Sequence, residues 1–421
     1  MSDLTKPLSI GLFGFGAVGQ GLYDVLQRTP SLRTRITRIC VRDPLKSRSL
    51  PAELFTYDRE DILDDPNVDV VVELIDDAEA AFSIVSRALR NGKPVVSANK
   101  RMIANKMPEL LALQRETDVP FLYEASVAGS IPILRNLEEY YDNDLLEGLD
   151  GIVNGTTNYI LTALTRGTAL NETAYADALK DAQRKGFAES DPTMDVEGWD
   201  AAFKTVLLAL HGFGKVLRPE QVIRRGISTV RAEDIVFART RKAVIKLIAR
   251  VRYAEGELIA SVLPTLLSAD DALARVDREL NAVRLRAAFA DQQWLVGKGA
   301  GGSPTASAVL SDLSALRYGY RYAYRKLLAN GTTQIAQNWS VTLLAAGPAK
   351  EVAGIPFSNV ISEERSGSFT RVIGTVDLAR LSTLPVFRSR TLFLAEVAEG
   401  VVAEEVDGVV NERELADHSI H

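Results

Sequence analysis

The first third of the chain alternates between short apolar runs and stretches with helical spacing. Residues 8–13 form the first run, and Val18, Leu22, Val25 and Leu26 then recur on one helical face. Further apolar runs at 36–41, 68–75, 94–98 and 119–125 predict strands, while 79–91 and 107–117 predict helices. Such alternation predicts a parallel sheet covered by helices on both faces. Ligands of these sheets lie beyond the carboxyl ends of the strands, which singles out Arg42, Asp76, Asn99, Lys100 and Glu124.

Past residue 130 the pattern changes. The polar turn Asn154-Gly-Thr-Thr-Asn158 precedes a helix-like run at 159–164, and 172–185 also reads as a helix. Long strand-like runs occupy 243–265 and 283–296. A glycine-rich turn at 297–303 leads into a helix expected over 306–316, with Pro304 and Thr305 starting it. In the last hundred or so positions, two β-rich runs flank a turn at Arg365. The expected architecture is α/β: a Rossmann-type dinucleotide-binding domain over 1–130 and 297–324, an α+β catalytic and dimerisation domain over 131–296, and a small, separate α+β extension over 325–421 that the chemistry does not need.

Two motifs carry candidate chemistry. Gly14-Phe15-Gly16-Ala17-Val18-Gly19 sits between the first apolar run and its helix. Gly14 permits the turn, Gly16 lets a pyrophosphate approach the backbone, and Gly19 lets helix and strand pack closely. A glycine-rich turn without a ligand is the alternative. Arg42-Asp43 ends the second run; an arginine suits the 2′-phosphate of NADP and an aspartate the 2′-hydroxyl of NAD, so both cofactors are expected. The second motif, residues 189–204, holds five carboxylates and one lysine. Asp200 and Lys204, four apart, share one helix face, and the apolar run 205–210 continues that helix into a core. Burial favours a neutral lysine and a neighbouring aspartate restrains that shift, which is how a proton donor near neutral pH is built. An ordinary surface pair has the same spacing.

Composition narrows the classes. A chain of 421 residues, 46% hydrophobic, has room for two or three domains, and no run reaches membrane-spanning length. A net charge of −6 argues against nucleic acid as a partner. The amino-terminal residues lack a signal-peptide pattern, so a cytoplasmic location is expected. Cys40, the single cysteine, reads as a buried small hydrophobe. Of three histidines, His418 and His421 lie at the end of the chain and His211 closes a helix, so a histidine metal site or a Ser-His-Asp triad is not expected. Acid–base work falls to lysine and carboxylates.

Six motifs in one order extend this picture. Gly14-x-Gly-x-x-Gly19, Val95-Val-Ser-Ala-Asn-Lys100, Tyr123-Glu-Ala-Ser-Val-Ala-Gly129-Ser-Ile-Pro132, residues 151–160, residues 189–204 and the turn from Gly297 cover about residues 8–320. Together the set resembles homoserine dehydrogenase. The resemblance implies a homodimer that transfers hydride reversibly between L-aspartate 4-semialdehyde and L-homoserine with NAD or NADP, on the route to threonine, isoleucine and methionine. By position it implies Lys204 as the proton-transfer lysine, Asp200 as its carboxylate and Lys100 as a second active-site lysine. It implies substrate contacts at Glu189, Asp195, Gly155 and Thr156, and cofactor contacts at Gly14, Phe15, Gly16, Ala17, Val18, Gly19, Arg42, Ile75, Asn99, Lys100 and Gly301. A structural sodium site is implied at Glu124, Val127, Gly129 and Ile131.

Departures from the family pattern keep other readings open. Asp76-Asp77 stand where the family has two glycines, and Phe187 where it has tyrosine. The two aspartates either repel the cofactor's pyrophosphate or cap the following helix. If they spoil cofactor use, the chain is a nucleotide-binding regulator or pseudoenzyme on this scaffold. A related Rossmann amino-acid dehydrogenase is a further alternative. The last hundred residues do not resemble the regulatory ACT module often found with this family.

Overall fold

The structure, a computed structural model, describes residues 7–142, 145–167, 171, 173–329 and 334–401. Six parallel strands, β1 (Leu8–Phe13), β2 (Thr34–Cys40), β3 (Phe55–Thr56), β4 (Val70–Glu73), β5 (Val95–Ser97) and β6 (Phe121–Leu122), form the first sheet in the order β3-β2-β1-β4-β5-β6. Strand order reverses between β1 and β4, which opens a crevice at their carboxyl ends. Helices Ala17–Arg28 and Ala78–Arg90 follow β1 and β4, and helix Gly302–Arg317 returns from far along the chain to pack on Ala17–Arg28. Ile10, Leu12, Val71, Val72, Val95 and Val96 are fully buried, as expected for strands covered on both faces. Strand β6 is shorter than its apolar run, because the backbone turns at Glu124–Ser126. Cys40 is half-buried rather than buried, and burial pushes its thiol up to about 11.

The second sheet comprises β7 (Leu146–Ile152), β8 (Ile223–Arg224), β9 (Ala243–Ala254), β10 (Glu257–Ser268), β11 (Leu280–Ala287), β12 (Asp291–Lys298), β13 (Gln334–Ile335), β14 (Ser340–Pro348), β15 (Asn359–Ser366), β16 (Phe369–Asp377) and β17 (Phe393–Val397). Its main path runs β12-β11-β7-β9-β10-β17-β14-β16-β15. The apolar run at 243–265 is two antiparallel strands joined at Glu255-Gly256, where φ is +52° and +84°. Positive φ at both loop positions gives a tight hairpin whose twist matches its strands. The free edge of β10 takes three short parallel strands in a row: β13 at Glu257 and Leu258, β8 at Ser261 and Val262, and β17 at Thr265 and Leu266.

Residues 334–401 are α+β, as expected, but they are not a separate piece. Strands β14 to β17 alternate with two short helices, Ala349–Val352 and Leu378–Ser382, in the order fourth-first-third-second of a split βαβ arrangement. Their core, with Val341, Leu343, Val376 and Leu378, takes in Ile259 and Leu263 from β10. A buried ionic chain crosses the same junction. Arg250 on β9 bonds Asp150 on β7 at 3.0 Å and Glu396 on β17 at 2.6 Å, and Arg284 on β11 reaches Asp150 at 2.7 Å. Burial alone would raise the Asp150 carboxyl, but Arg250, Arg286 and Arg284 hold it well below the usual range. Sheet and core therefore run through the expected boundary at 325. Residues 402–421, with His418 and His421, lie outside the described residues. Among the described residues no helix is long and apolar enough to cross a membrane.

Candidate active site

The lysine helix, Trp199–Phe213, starts at Gly198 (φ +78°) and ends at Gly214 (φ +66°), both conformations that glycine adopts without strain. Every residue from Asp200 to Phe213 is buried, which rules out the surface-pair reading. The Lys204 ammonium donates to Asp200 Oδ2 at 2.7 Å and to the Val153 carbonyl at 2.6 Å. Lys100 reaches the other Asp200 oxygen at 3.1 Å from the carboxyl end of β5. One carboxylate thus holds two lysines, one within the lysine helix and one at the start of the helix that follows β5. Burial pushes the Asp200 carboxyl up, but Lys100 and Lys204 outweigh it and hold the group well below the usual range. Asp200 in turn raises Lys100 above its ordinary value.

Asn154 completes this cluster, and the sequence reading gave it no role. Its side-chain oxygen caps helix Gly155–Arg166 through the Thr157 amide, so the polar turn is the first turn of that helix. The Asn154 Nδ2 donates to Asp200 at 2.9 Å and to Asp195 at 2.7 Å. Burial first, and Asp200 second, raise the Asp195 carboxyl above its ordinary value. Thr156 gives its hydroxyl to the Phe187 carbonyl at 2.6 Å, and a side chain at Gly155 would collide with the Glu279 carbonyl. Glu189 is exposed, and its carboxylate makes no hydrogen bond or ion pair among the described contacts to this cluster.

At the crevice, Gly14 has a φ of +92°, and a Cβ there would lie 2.8 Å from the Leu74 carbonyl. A Cβ at Gly19 would lie 2.7 Å from the Gly14 carbonyl, whereas one at Gly16 would meet no atom within 4 Å. The open side of Gly16 adjoins the start of helix Ala17–Arg28, which has no side-chain cap and no acidic residue in its first turn. Its amides are therefore available to an anion. Gly302 packs on the Ala17 carbonyl, and Gly301 (φ +118°) starts helix Gly302–Arg317 beside it. Phe15 is buried against Phe55, and Arg42 is exposed after β2. The Asp43 carboxylate accepts from the Leu45 amide at 2.8 Å. Asp77 caps helix Ala78–Arg90 by accepting from the Ala80 amide at 2.9 Å, and Asp76 is exposed beside it. Capping is thus the role the structure gives Asp77.

Beneath this rim lies Glu73, which the sequence reading passed over as part of an apolar strand. It accepts from the Ile75 amide at 2.7 Å and from the Ser97 hydroxyl at 2.5 Å, and Ser97 accepts from the Asn99 amide. The Asn99 side chain closes the ring by donating to the Ile75 carbonyl at 2.9 Å. Burial pushes the Glu73 carboxyl up to about 7. Elsewhere, the Glu124 carboxylate accepts the Leu134 and Arg135 amides, and the Glu124 amide donates to Asp312. Among the described residues, the carbonyls of Val127, Gly129 and Ile131 accept no main-chain hydrogen bond, and no group of three or more His, Cys, Asp or Glu suits a metal ion.

Known proteins resemble this chain in sequence and fold. Residues 14–124 match a family described as homoserine dehydrogenase, NAD binding domain, and residues 132–314 one described as homoserine dehydrogenase. A homoserine dehydrogenase of Bacillus subtilis is 35% identical over 395 residues, spanning 90% of this chain and 88% of its own length. The chain belongs to the homoserine dehydrogenase family. A family member of Synechocystis is 39% identical over 73% of this chain and 72% of its own. The crystal structure of a homoserine dehydrogenase from Thiobacillus denitrificans matches with a TM-score of 0.79 at 30% identity, covering 93% of this chain and 98% of that one. A hyperthermophilic archaeal homoserine dehydrogenase in complex with NADPH matches at 0.65 and 27% identity, covering 75% and 99%. As a member of the homoserine dehydrogenase family, the chain is an oxidoreductase with a Rossmann-type NAD-binding domain, and neither a non-enzymatic regulator nor another amino-acid dehydrogenase is favoured.

Proposed function

We propose that the chain catalyses the reversible, NAD(P)-dependent interconversion of L-aspartate 4-semialdehyde and L-homoserine. The observation that carries this reading is the buried Lys204–Asp200 pair, whose carboxylate is shared with Lys100 from the nucleotide-binding sheet. The open face of Gly16, the uncapped amides at Ala17 and Val18, and the Ile75–Asn99 rim fit a dinucleotide. When bound, the nicotinamide supplies the hydride chemistry. The chain's own part is the proton. Reduction of the aldehyde leaves an alkoxide, to which the Lys204 ammonium gives a proton; oxidation of the alcohol returns it. Asp200 fixes the Lys204 head group, and Lys100 adds positive charge where negative charge develops. Asp195 and the exposed Glu189 take the substrate's α-ammonium. The amides of Gly155 and Thr156, at a helix N-terminus, take its α-carboxylate.

Both cofactors are accepted on this reading. Arg42 is free to face a 2′-phosphate, while Asp43 is engaged by its own loop. The unclaimed carbonyls of Val127, Gly129 and Ile131, beside Glu124, support a structural sodium site. The open edge strand β12, with Val296 exposed, supports a homodimer, and the enzyme works in the cytoplasm. The deciding experiment follows oxidation of NADH and NADPH by the purified chain with aspartate 4-semialdehyde. Turnover with neither cofactor overturns the proposal.

A further inference from the structure

Strand β8, from the catalytic half, lies between two C-terminal strands, β13 and β17, along the edge of β10. Its last residue, Arg224, and the next one, Arg225, face opposite partners. The buried guanidinium of Arg225 donates to three carbonyls of one C-terminal segment: Phe387 and Ser389 at 2.8 Å each, and Leu392 at 2.5 Å. Among the described residues its hydrogen-bonded set is three carbonyls and no carboxylate, and a guanidinium fork suits such an arc better than any other side chain. Arg224 turns the other way. It lies 3.7 Å over the Trp199 ring and donates to the Glu197 carbonyl. The backbone follows: Ile227 donates to the Val196 carbonyl at 2.7 Å, and a Cβ at Gly226 would lie 2.1 Å from that oxygen. The turn gripped in this way, residues 196–199, joins Asp195 to Asp200 and starts the lysine helix.

We propose that Arg225 is a positioning residue, which ties the 387–392 segment of the C-terminal unit to the turn carrying Asp195 and Asp200, so that the C-terminal unit sets the substrate side of the active site. Arg225 touches no reacting group; it acts through Arg224, Gly226 and the 196–199 turn. The cofactor side is built from the other sheet and has no part in this path. Loosening Arg225 therefore disturbs substrate geometry and spares the cofactor. The proposal rests on the functional reading above for its kinetic half.

The test compares the full-length parent with Arg225→Ala, Arg225→Lys and Arg224→Ala. Misplacing reacting groups by about an ångström costs roughly 10- to 100-fold in rate. Arg225→Ala is expected to lower kcat/KM for homoserine by ~10-fold or more, with an unchanged dissociation constant for NADPH. Arg225→Lys, which keeps the charge but not the fork, falls between the two. Hydrogen exchange, which needs no turnover, is expected to quicken at residues 196–199 as well as at 387–392. If Arg225→Ala does not fold, Arg224→Ala, whose side chain is only partly buried, carries the test with the same substrate-selective loss. Unchanged exchange at 196–199, or equal losses toward substrate and cofactor, overturns the proposal. A parent without homoserine turnover overturns the functional reading instead and leaves the exchange measurement to decide this one.

Discussion

Lys204 illustrates what spacing reveals and what it hides. The four-residue interval to Asp200 was readable because a helix repeats at that interval. The third member, Lys100, starts the helix after β5, so its strand-end position was legible but its meeting with Asp200 was not. Lys204→Ala is expected to cut the rate of aldehyde reduction by roughly 100- to 10,000-fold, with NADPH affinity little changed. Stopped-flow turnover with a parallel binding titration checks this, and near-normal turnover removes Lys204 from its role. Glu73 was illegible for the opposite reason: in a strand covered on both faces, no alternation marks one residue as special. Its folded-state carboxyl titrates near 7, above the ordinary 4.5, so the folded chain binds the extra proton between those values. Stability accordingly falls as pH rises through that window. Glu73→Gln is expected to flatten the decline in melting temperature across it. Buried Glu124 and Asp312 shift in the same direction and remain in the variant, so the difference between the two profiles isolates Glu73. Parallel profiles would refute the assignment.

At the scale of elements, the parallel half was legible almost throughout, and the antiparallel half was legible only as apolar length. The hairpin between β9 and β10 was read as one run because Glu255-Gly256 lacks the Asn-Gly or Asp-Gly signal, although both residues adopt the positive φ such turns need. The helix after the glycine-rich turn begins at Gly302 rather than 306, because Gly301 starts it before Pro304 and Thr305 are reached. Asp76-Asp77 tested two readings of one pair, and the helix cap is what Asp77 makes. Asp77→Ala is expected to destabilise by about 1 kcal/mol, the usual cost of a lost cap. NADH and NADPH dissociation constants for the Asp76→Gly/Asp77→Gly double variant are expected to stay within about twofold of the parent at low salt. A marked tightening at low salt that disappears at high salt would restore the repulsion reading.

At the scale of the whole molecule, the sequence read three parts and the structure gives two sheets. No composition shift marks the join because β10 belongs to both cores, with Ile259 and Leu263 facing the C-terminal helices. A chain ending after residue 325 would bare those side chains and unpair the edge of β10 on either side of β8, the arrangement that recruits foreign strands. Such a truncation is expected to aggregate rather than yield a smaller enzyme, as size-exclusion chromatography of the purified product would show. A soluble, fully active truncate would restore the view of a dispensable extension. The shared edge also limits how this gene can be recombined. A C-terminal unit grafted from a relative would have to bring its fourth strand into parallel register at Thr265 and Leu266 and its own carbonyls to Arg225. A crossover placed at the expected boundary near 325 therefore divides one continuous sheet and core, whereas exchanges confined to the outer strands β15 and β16 leave that seam intact.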